Sequence, residues 1–391
     1  MSGGPLNGLK VVDLTKFVSG PYATMLMADA GATVVKVEPP GGDPARTNPP
    51  LFETPAGPVS ATFLRMNRGK LSVEIDLKSD EGLDALKCLI EQADVLVENF
   101  RVGVLARLGL DEPTLEELNP RLIYASISGF GHSQSAYRDR PAFNLIAEYE
   151  AGVYGNDGDV PRPLGPYVGD LFPGVHALSG ILMALHERHS TGRGSRVDIA
   201  MFDSMLSFNE SAGSYGAWLG SDDAADTTKY FCPSGVYPCS DGHVCIDVVT
   251  EKQWQTLCAL MGARQLLDDT RLASGVERSQ NYVEALAPVF LAWLAQYSGE
   301  EVVDLLASNG VPSAVVRRPG DALNGDQARN RKMRLEVSVE GGGPGLPVAA
   351  SPIRVGSHQR PTSARVARAG EHTSSLLGPQ AEPVAHNFDG V

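Results

Sequence analysis

The chain has 391 residues, of which 42% are hydrophobic and 20% are charged, a balance typical of a folded globular protein. This length exceeds what one hydrophobic core usually supports and predicts about two domains. The 33 Lys and Arg residues against 47 Asp and Glu residues give a formal net charge of −14, which argues against nucleic-acid binding because phosphate recognition needs cationic residues. A local basic patch could still bind one anionic small molecule.

The N-terminus carries no basic segment followed by an apolar run, so no secretory signal is predicted. No apolar run reaches the roughly 18 residues that a membrane helix needs, so no membrane span is predicted either. The five cysteines form no CxxC pair, and there is no HExxH pattern. We therefore expect reduced thiols, a cytoplasmic location and no metal site.

The first half of the chain predicts alternating strands and helices. Strands are predicted at residues 9–14, 33–37, 71–77, 94–98, 122–126 and 195–200. The first is a Val-rich apolar run that suits a buried parallel strand, whereas residues 71–77 alternate between apolar and polar. Helical patterns lie between the strands at residues 22–30, 79–93 and 175–189, and Ser79 is the predicted N-cap of the second. Repeated β-α-β units predict an α/β domain with a mostly parallel, doubly wound sheet.

Ligands of such a sheet bind in the loops that follow the carboxyl ends of its strands. We therefore expect the functional site among residues 16–22, 38–46, 99–107 and 128–144. Residues 165–170 are predicted to form a further loop, which leads into the helix at 175–189. The usual nucleotide fingerprints are missing, because TKFVSGPY replaces GxGxxG after the first strand and neither a Walker A motif nor GxSxG occurs. Pattern alone thus indicates an α/β protein with a small-molecule site.

The sequence changes character after about residue 205. Ser240-Asp241-Gly242 between two apolar stretches predicts a β-hairpin, and residues 252–261 and 281–297 predict amphipathic helices. We assign residues 1–205 to a large domain and 206–318 to a smaller α/β domain. Residues 319–391 have too few apolar side chains to fold alone and are expected to pack back on the large domain.

Several separate segments resemble the family III CoA-transferases, the group that contains formyl-CoA:oxalate transferase and carnitine CoA-transferase. The matching segments are KVVDLT, SGPYATMLMADAGATVVKVEPPGGD, NRGKLSVEIDLK, ADVLVENFRVGVLARLGL, NPRLIYASISGFG, VGDLFPG, HERHSTGRGSRVDIAMFDSM and GEHT. They follow the family's order and span nearly the whole chain. The resemblance implies a large Rossmann-like, CoA-binding domain plus a smaller domain, arranged in an interlinked homodimer.

The same resemblance implies an enzyme that moves CoA from an acyl-CoA donor to a carboxylic acid acceptor. Coenzyme A is then a substrate, and no further cofactor is implied. Asp170, in VGDLFPG, is the implied nucleophile that forms an aspartyl-CoA thioester. Gly169 and Gly174 would allow close backbone approach and could direct N–H groups at an oxyanion. Without the resemblance, an Asp at this position is more often a cap of the following helix, and that alternative stays open.

CoA carries three phosphate groups, so cationic side chains should line its groove. The residues that the resemblance places there, or beside the pantetheine or adenine, are Arg68, Lys70, Asn99, Phe100, Arg107 and Arg140. Each cation could equally be a solvated surface residue, and Phe100 could simply belong to the core. Val18 stands where the oxalate enzyme carries a Gln, so we expect an acceptor other than oxalate.

Two alternative functions remain. An α-methylacyl-CoA racemase shares these motifs but needs an acid and a base on opposite faces of the α-carbon. Phe143 stands where the racemases carry a His, and Phe cannot exchange a proton, while His132 is interpreted as an exposed loop residue. A non-catalytic acyl-CoA-binding protein is the other alternative, and the presence of Asp170 argues against it.

Overall fold

The computed structural model describes residues 4–54, 57–157, 160–220, 229–339 and 345–378. Contacts divide the chain into two compact units, a large unit of residues 1–210 and 323–391 and a small unit of residues 211–322. The large unit is therefore built from two separate stretches of the chain. These divisions follow residues 210 and 322, whereas the sequence analysis placed the domain boundaries after residues 205 and 318.

The first 219 residues alternate between strands and helices. The strands are β1 (Lys10–Asp13), β2 (Thr33–Glu38), β3 (Leu51–Phe52), β4 (Val59–Ser60), β5 (Leu71–Glu74), β6 (Val95–Glu98), β7 (Ile123–Ser128), β8 (Gly155–Asp157), β9 (Val160–Arg162) and β10 (Arg196–Ala200). The helices are α1 (Ser19–Asp29), α2 (Ala61–Asn67), α3 (Asp80–Ile90), α4 (Val104–Arg107), α5 (Glu112–Leu118), α6 (Asn144–Glu150), α7 (Val168–Thr191), α8 (Met201–Phe208) and α9 (Glu210–Leu219).

Six of these strands form one parallel sheet in the order β10-β7-β6-β1-β2-β5. Side chains alternate between its faces, so that Val11 and Val95 pack in the core with α1 and α7 residues while Val12 and Leu96 pack with α3 residues. Because helices cover both faces, apolar residues fill most of these strands, and the charged residues at or near their ends, such as Asp13 of β1 and Lys36 of β2, are buried as well. The prediction of an α/β fold with a large parallel sheet is confirmed, as is the Ser79 cap, whose Oγ accepts the Gly82 N–H at 3.0 Å.

Helix α7 corrects two predictions. It begins at Val168 rather than 175, so Asp170 lies in its first turn and not in a loop. Gly169, Pro173 and Gly174 near its start are poor helix formers, and for that reason the sequence pattern placed the start of the helix seven residues too late. With 24 residues, α7 is also long and apolar enough to cross a membrane, contrary to the expectation of no such segment. Its residues Leu178 and Ile181 pack in the core of the large unit, as in the central helix of a globular domain.

The small unit has its own sheet and core. Its elements are β11 (Ser234–Cys239), β12 (Gly242–Asp247), α10 (Glu251–Leu260), α11 (Gly275–Gln280), α12 (Ala287–Leu294), α13 (Gly299–Ser308), β13 (Ser313–Val315) and α14 (Pro319–Asn324). Strands β11, β12 and β13 form an antiparallel sheet, and the predicted hairpin at 240–242 is confirmed. The helix predicted over 281–297 is divided, because a π turn at Tyr282–Leu286 precedes α12.

The chain then returns to the large unit. This segment contains α15 (Asp326–Asn330), β14 (Arg334–Val339), β15 (Leu346–Ala349), β16 (Ser363–Val366) and α16 (Thr373–Leu377). Its GEHT sequence lies along β5, the edge strand of the parallel sheet. The His372 N–H donates to Ser72 O at 2.9 Å, the Gly370 N–H donates to Ser72 Oγ at 3.0 Å, and the Glu74 N–H donates to Thr373 Oγ1 at 2.9 Å. These bonds cover a sheet edge whose backbone groups would otherwise be open to pairing.

Candidate active site

A cavity of about 600 Å³ lies in the large unit, at the carboxyl ends of the neighbouring strands β1, β6, β7 and β10. Its volume is in the range of small-molecule sites. Three of the four predicted loops line it, namely 16–22, 99–107 and 128–144. The loop at 38–46 does not, because Arg46 pairs there with Glu38 and donates to Ala367 O, which ties this loop to the returning segment.

Asp170 lines this cavity from the first turn of α7. The cap position of α7 is Tyr167, which has a left-handed φ of 65°, and no side chain caps the helix. Among the residues that the structure describes, nothing donates a hydrogen bond to the Asp170 carboxylate. Its backbone is fixed, since the Asp170 N–H donates to Asn144 Oδ1 at 3.2 Å and Tyr167 O at 3.1 Å. Asp170 therefore does not cap α7. Its carboxylate lies at the cavity wall without a hydrogen-bond partner among the described residues.

Burial raises the pKa of Asp170 to about 7, and the negative charge of Glu148 adds to the rise. Glu148 belongs to α6 and is fully buried. Its Oε1 accepts the Gly169 N–H at 2.9 Å, whereas its Oε2 has no hydrogen-bond partner in the described part of the chain. The seven-residue helix α6 thus holds the start of α7 through both Asn144 and Glu148. Nothing in NLIAEYEAG distinguishes Glu148 from an ordinary surface carboxylate on a helix, so sequence analysis missed it.

This pKa predicts how activity depends on pH. A carboxylate attacks a carbonyl only when deprotonated, and the raised pKa means that Asp170 gains its proton as pH falls through about 7. We expect kcat/KM for acyl-CoA, which reports the free enzyme, to fall below that pH. Glu148→Gln keeps an oxygen for the Gly169 N–H but removes the like charge, and should shift the inflection to lower pH. An inflection that is unchanged in Glu148→Gln would contradict the electrostatic role of Glu148.

Gly169 and Gly174 lie outside the cavity, and both positions need glycine for packing. A Cβ on Gly169 would stand 2.4 Å from Asn144 O, and one on Gly174 would stand 2.6 Å from Ser19 O. The Gly169 N–H is already bonded to Glu148. The close approach expected at these glycines is therefore made by the protein's own backbone, and the Gly169 N–H is not available to an oxyanion.

Arg107, Arg140, Asn99 and Phe100 are brought together at the cavity, as the resemblance implies. Arg107 ends α4, and the Arg140 guanidinium stacks 3.8 Å from the centre of the Tyr137 ring. The Asn99 amide is engaged with the protein, since it accepts the Lys16 N–H and donates to Lys16 O, both at 2.8 Å.

Three further cations, Lys16, Arg101 and Arg138, line the same cavity and were missed. Arg138 belongs to SAYRDRP, and the density of Arg in that loop after a predicted strand is a signal that could have found it. The side chain of Arg138 has a buried Nε without a partner among the described residues.

Arg68 and Lys70, also expected in the CoA groove, are buried away from this cavity. The Arg68 guanidinium pairs with Asp29 at 2.7 Å, and Lys70 Nζ pairs with Asp13 Oδ2 at 2.9 Å. Lys70 Nζ also donates to Asn67 Oδ1 and Pro21 O. Because these cations are already paired with carboxylates in the interior, they are not positioned to contact a ligand in the cavity. In this structure neither cation belongs to the cavity lining, and both form buried ion pairs.

The residues weighed for racemase chemistry are placed differently. Phe143 lines the cavity and offers no proton, whereas His132 is not part of the cavity lining. His132 is half-buried rather than exposed, and its backbone N–H donates to Asp198 Oδ2 at 3.1 Å. Burial and the nearby Arg196 charge lower the pKa of its imidazole. No group of three His, Cys, Asp or Glu side chains able to hold a metal ion occurs within the described ranges.

The family model described as CoA-transferase family III matches residues 6–373. The chain belongs to this family. It is 38% identical over 383 residues to a succinyl-CoA:mesaconate CoA-transferase of Haloarcula hispanica, with 96% of each chain covered. It is 31% identical over 388 residues to a succinate–glutarate CoA-transferase of Agrobacterium fabrum, with 95% of each covered.

A solved structure agrees with this assignment. The crystal structure of a CaiB/BaiF family protein from Brucella suis matches with a TM-score of 0.84 and 30% identity, covering 96% of this chain and 99% of the other. The protein is thus a CoA-transferase that moves CoA between an acyl-CoA and a carboxylic acid.

Proposed function

We propose that this CoA-transferase uses Asp170 as its nucleophile and carries CoA between two acids as an aspartyl-CoA thioester. The observation that supports this proposal is an unpaired carboxylate among the described residues, fixed by α6 in a cavity with five cationic side chains. Those side chains are Lys16, Arg101, Arg107, Arg138 and Arg140. They explain how a protein with a net charge of −14 attracts a polyanion at short range.

The proposed reaction proceeds by four acyl transfers. An Asp170 oxygen attacks the donor thioester carbonyl, the C–S bond breaks, CoA leaves as a thiolate, and an acyl-aspartyl anhydride remains. The thiolate attacks the aspartyl carbonyl, the donor acid departs as carboxylate, and the aspartyl-CoA thioester remains. The acceptor carboxylate then attacks this thioester and releases the thiolate. Finally the thiolate attacks the acceptor's carbonyl in the new anhydride, which gives acyl-CoA and restores the Asp170 carboxylate.

We infer that the acids are short dicarboxylates. The relatives named for succinate, mesaconate and glutarate support this class, and so does the number of cations in the cavity, since a second carboxylate can pair with a cation that no phosphate occupies. The test is incubation with succinyl-CoA and a pool of carboxylic acids, followed by mass spectrometry of the CoA esters and of the peptide that contains Asp170. A new CoA ester together with CoA mass on that peptide is expected. New ester without any adduct would argue against the covalent intermediate.

Arg107→Glu is expected to raise KM for acyl-CoA at least roughly tenfold and to leave kcat nearly unchanged, because phosphate contacts far from the carbonyl contribute uniform binding. The same substitution should have much less effect on an acyl-pantetheine thioester, which lacks the nucleotide phosphates. Lys78→Glu, an exposed cation outside the cavity, is the matched control and should behave as the unmodified enzyme. Equal losses on both thioesters would show that Arg107 does not contact the nucleotide.

We also propose that the enzyme is a homodimer. Helix α7 leaves Val175, Leu182 and Met183 exposed, with 71% of Met183 open to solvent, although the helix belongs to the core. Such a patch is typical of a surface that another protein chain covers. A solution mass twice that of the chain, measured by light scattering, is the expected result.

A further inference from the structure

Two exposed phenylalanines stand together in the cavity beside Asp170. The rings of Phe17 and Phe143 meet edge to face, with centroids 5.8 Å apart and planes at 90°. Phe17 is 42% exposed and Phe143 63% exposed, so much of both rings is available to a ligand. In a cavity lined by five cations, this pair supplies a concentrated apolar surface.

The backbone of Phe17 is held in an unusual conformation. Its φ is +64°, in the left-handed region that bulky side chains rarely adopt. The residues on both sides are fixed, since Asn99 binds both backbone groups of Lys16 and Val18 O accepts the Tyr22 N–H at 2.8 Å where α1 begins. Strain that neighbouring bonds impose in this way is typical of functional sites, where it directs a side chain.

Phe143 also occupies a position that does not favour it. It is the N-cap residue of α6, where Ser, Thr, Asn or Asp would accept a hydrogen bond from the helix, and Phe143 makes none. The next residue, Asn144, accepts the Asp170 N–H. Phe143 is therefore the direct chain neighbour of Asn144, the residue that holds the backbone of Asp170.

We propose that the Phe17–Phe143 pair packs against the carbon next to the reacting carboxyl group and selects acids in which that carbon bears no polar substituent. This inference rests on the proposed role of Asp170. When the acyl group is joined to Asp170, that carbon is one bond from the reacting carbonyl, and the pair lines the same cavity as Asp170. A hydroxyl there would lose hydrogen bonds to water, and the rings offer none in exchange. Discrimination against the 2-hydroxy analogue should therefore be roughly tenfold to a hundredfold in kcat/KM.

The experiment is a competition between two acceptor acids for succinyl-CoA, starting with glutarate and 2-hydroxyglutarate, or the best acceptor of the pool with its own 2-hydroxy analogue. For the hydroxy acid, only the CoA ester formed at the carboxyl group next to the hydroxyl is counted, after chromatographic separation from the ester at the other end. Phe143→Ser introduces a good cap for α6 and should not reduce thermal stability. Phe17→Asn introduces a residue that tolerates the left-handed conformation. Each should lower the discrimination to within roughly threefold, because a hydrophobic contact that no longer exists cannot exclude a hydroxyl. Leu145→Ala, on α6 but outside the cavity lining, is the control and should keep the original ratio.

The competing acids share one reaction mixture, so a general change in turnover does not alter the ratio. A ratio in either variant within twofold of the unmodified enzyme would overturn the proposal, as would an unmodified enzyme that accepts both acids equally. Loss of all transfer in both variants would also contradict it, because the rings would then act in the reaction itself. If the unmodified enzyme transfers CoA to no acid of the pool, the proposed function fails, and that result is distinct from the others.

Discussion

Asp170→Asn is expected to lower the rate of CoA transfer at least roughly a thousandfold, which corresponds to about 4 kcal/mol in the activation barrier. Asn has nearly the same size as Asp but cannot form the acyl anhydride, so only the proposed nucleophilic role predicts so large a loss. The measurement is kcat/KM for succinyl-CoA with a saturating acceptor, together with the loss of the CoA adduct on the Asp170 peptide.

Asp139→Asn is the matched control for this prediction, since Asp139 is a second carboxylate in the same cavity and should tolerate the change. The Asp170→Asn protein should unfold at the same temperature as the unmodified enzyme or at a higher one. The change removes a half-buried charge that lies near Glu148 and has no hydrogen-bond partner among the described residues. Retention of more than about a tenth of the activity, only 1.4 kcal/mol in barrier, would rule out Asp170 as nucleophile.

Lys70→Ala is expected to lower the free energy of unfolding by about 3–5 kcal/mol, because it removes the ion-pair partner of Asp13 in the interior. Asp13 is fully buried on β1 and receives hydrogen bonds from Lys70, Thr24 and Thr15. Burial alone would raise the pKa of Asp13, but the charges of Lys70 and Lys36 and the Thr15 bond lower it to about 2. Urea denaturation at neutral pH measures the effect.

The sign of the pH dependence follows from that depressed pKa. The stabilising contribution of Asp13 is fully present above its unfolded pKa of 3.8 and is lost as pH falls through about 2. Lys70→Ala should therefore differ least from the unmodified enzyme in acid. Arg107→Ala, an exposed cation of the cavity, is the control and should change stability by less than about 0.5 kcal/mol. The double variant Asp13→Asn/Lys70→Met should recover part of the loss, since it removes both charges. A Lys70→Ala enzyme that is stable but binds acyl-CoA poorly would return Lys70 to the binding site.

The sheet could be predicted from the sequence because strands that are buried on both faces consist mostly of apolar, often β-branched residues. Strands such as β2 and β6 are rich in Val, and the glycines and prolines between the strands mark the loops. Helix α7 shows where this reasoning stops. Its first two turns contain Gly169, Pro173 and Gly174, which are poor helix formers locally, and contacts made elsewhere in the large unit decide their conformation.

The candidate site could be predicted only where it lies within one continuous motif. Asp170 is recognisable from its segment, but Lys70 and Arg107 look equally like surface cations. The difference between them is the presence of Asp13, which lies 57 residues before Lys70 in the chain and next to it in space. Phe17 and Glu148 carried no signal for the same reason, since the roles of both depend on neighbours that the fold brings from distant parts of the chain.

The GEHT segment that covers β5 also has a consequence for the chain during its synthesis on the ribosome. Gly370 follows its partner Ser72 by 298 residues, so at roughly 5–20 residues per second the ribosome adds it about 15 to 60 seconds later. Throughout that interval β5 lacks the segment that covers it, and an open strand edge is where unfinished chains pair with one another. Residues 211–322, which form a continuous compact unit, are synthesised within that interval. The risk of aggregation is therefore concentrated in the nascent chain, and it declines once residue 373 has left the ribosome.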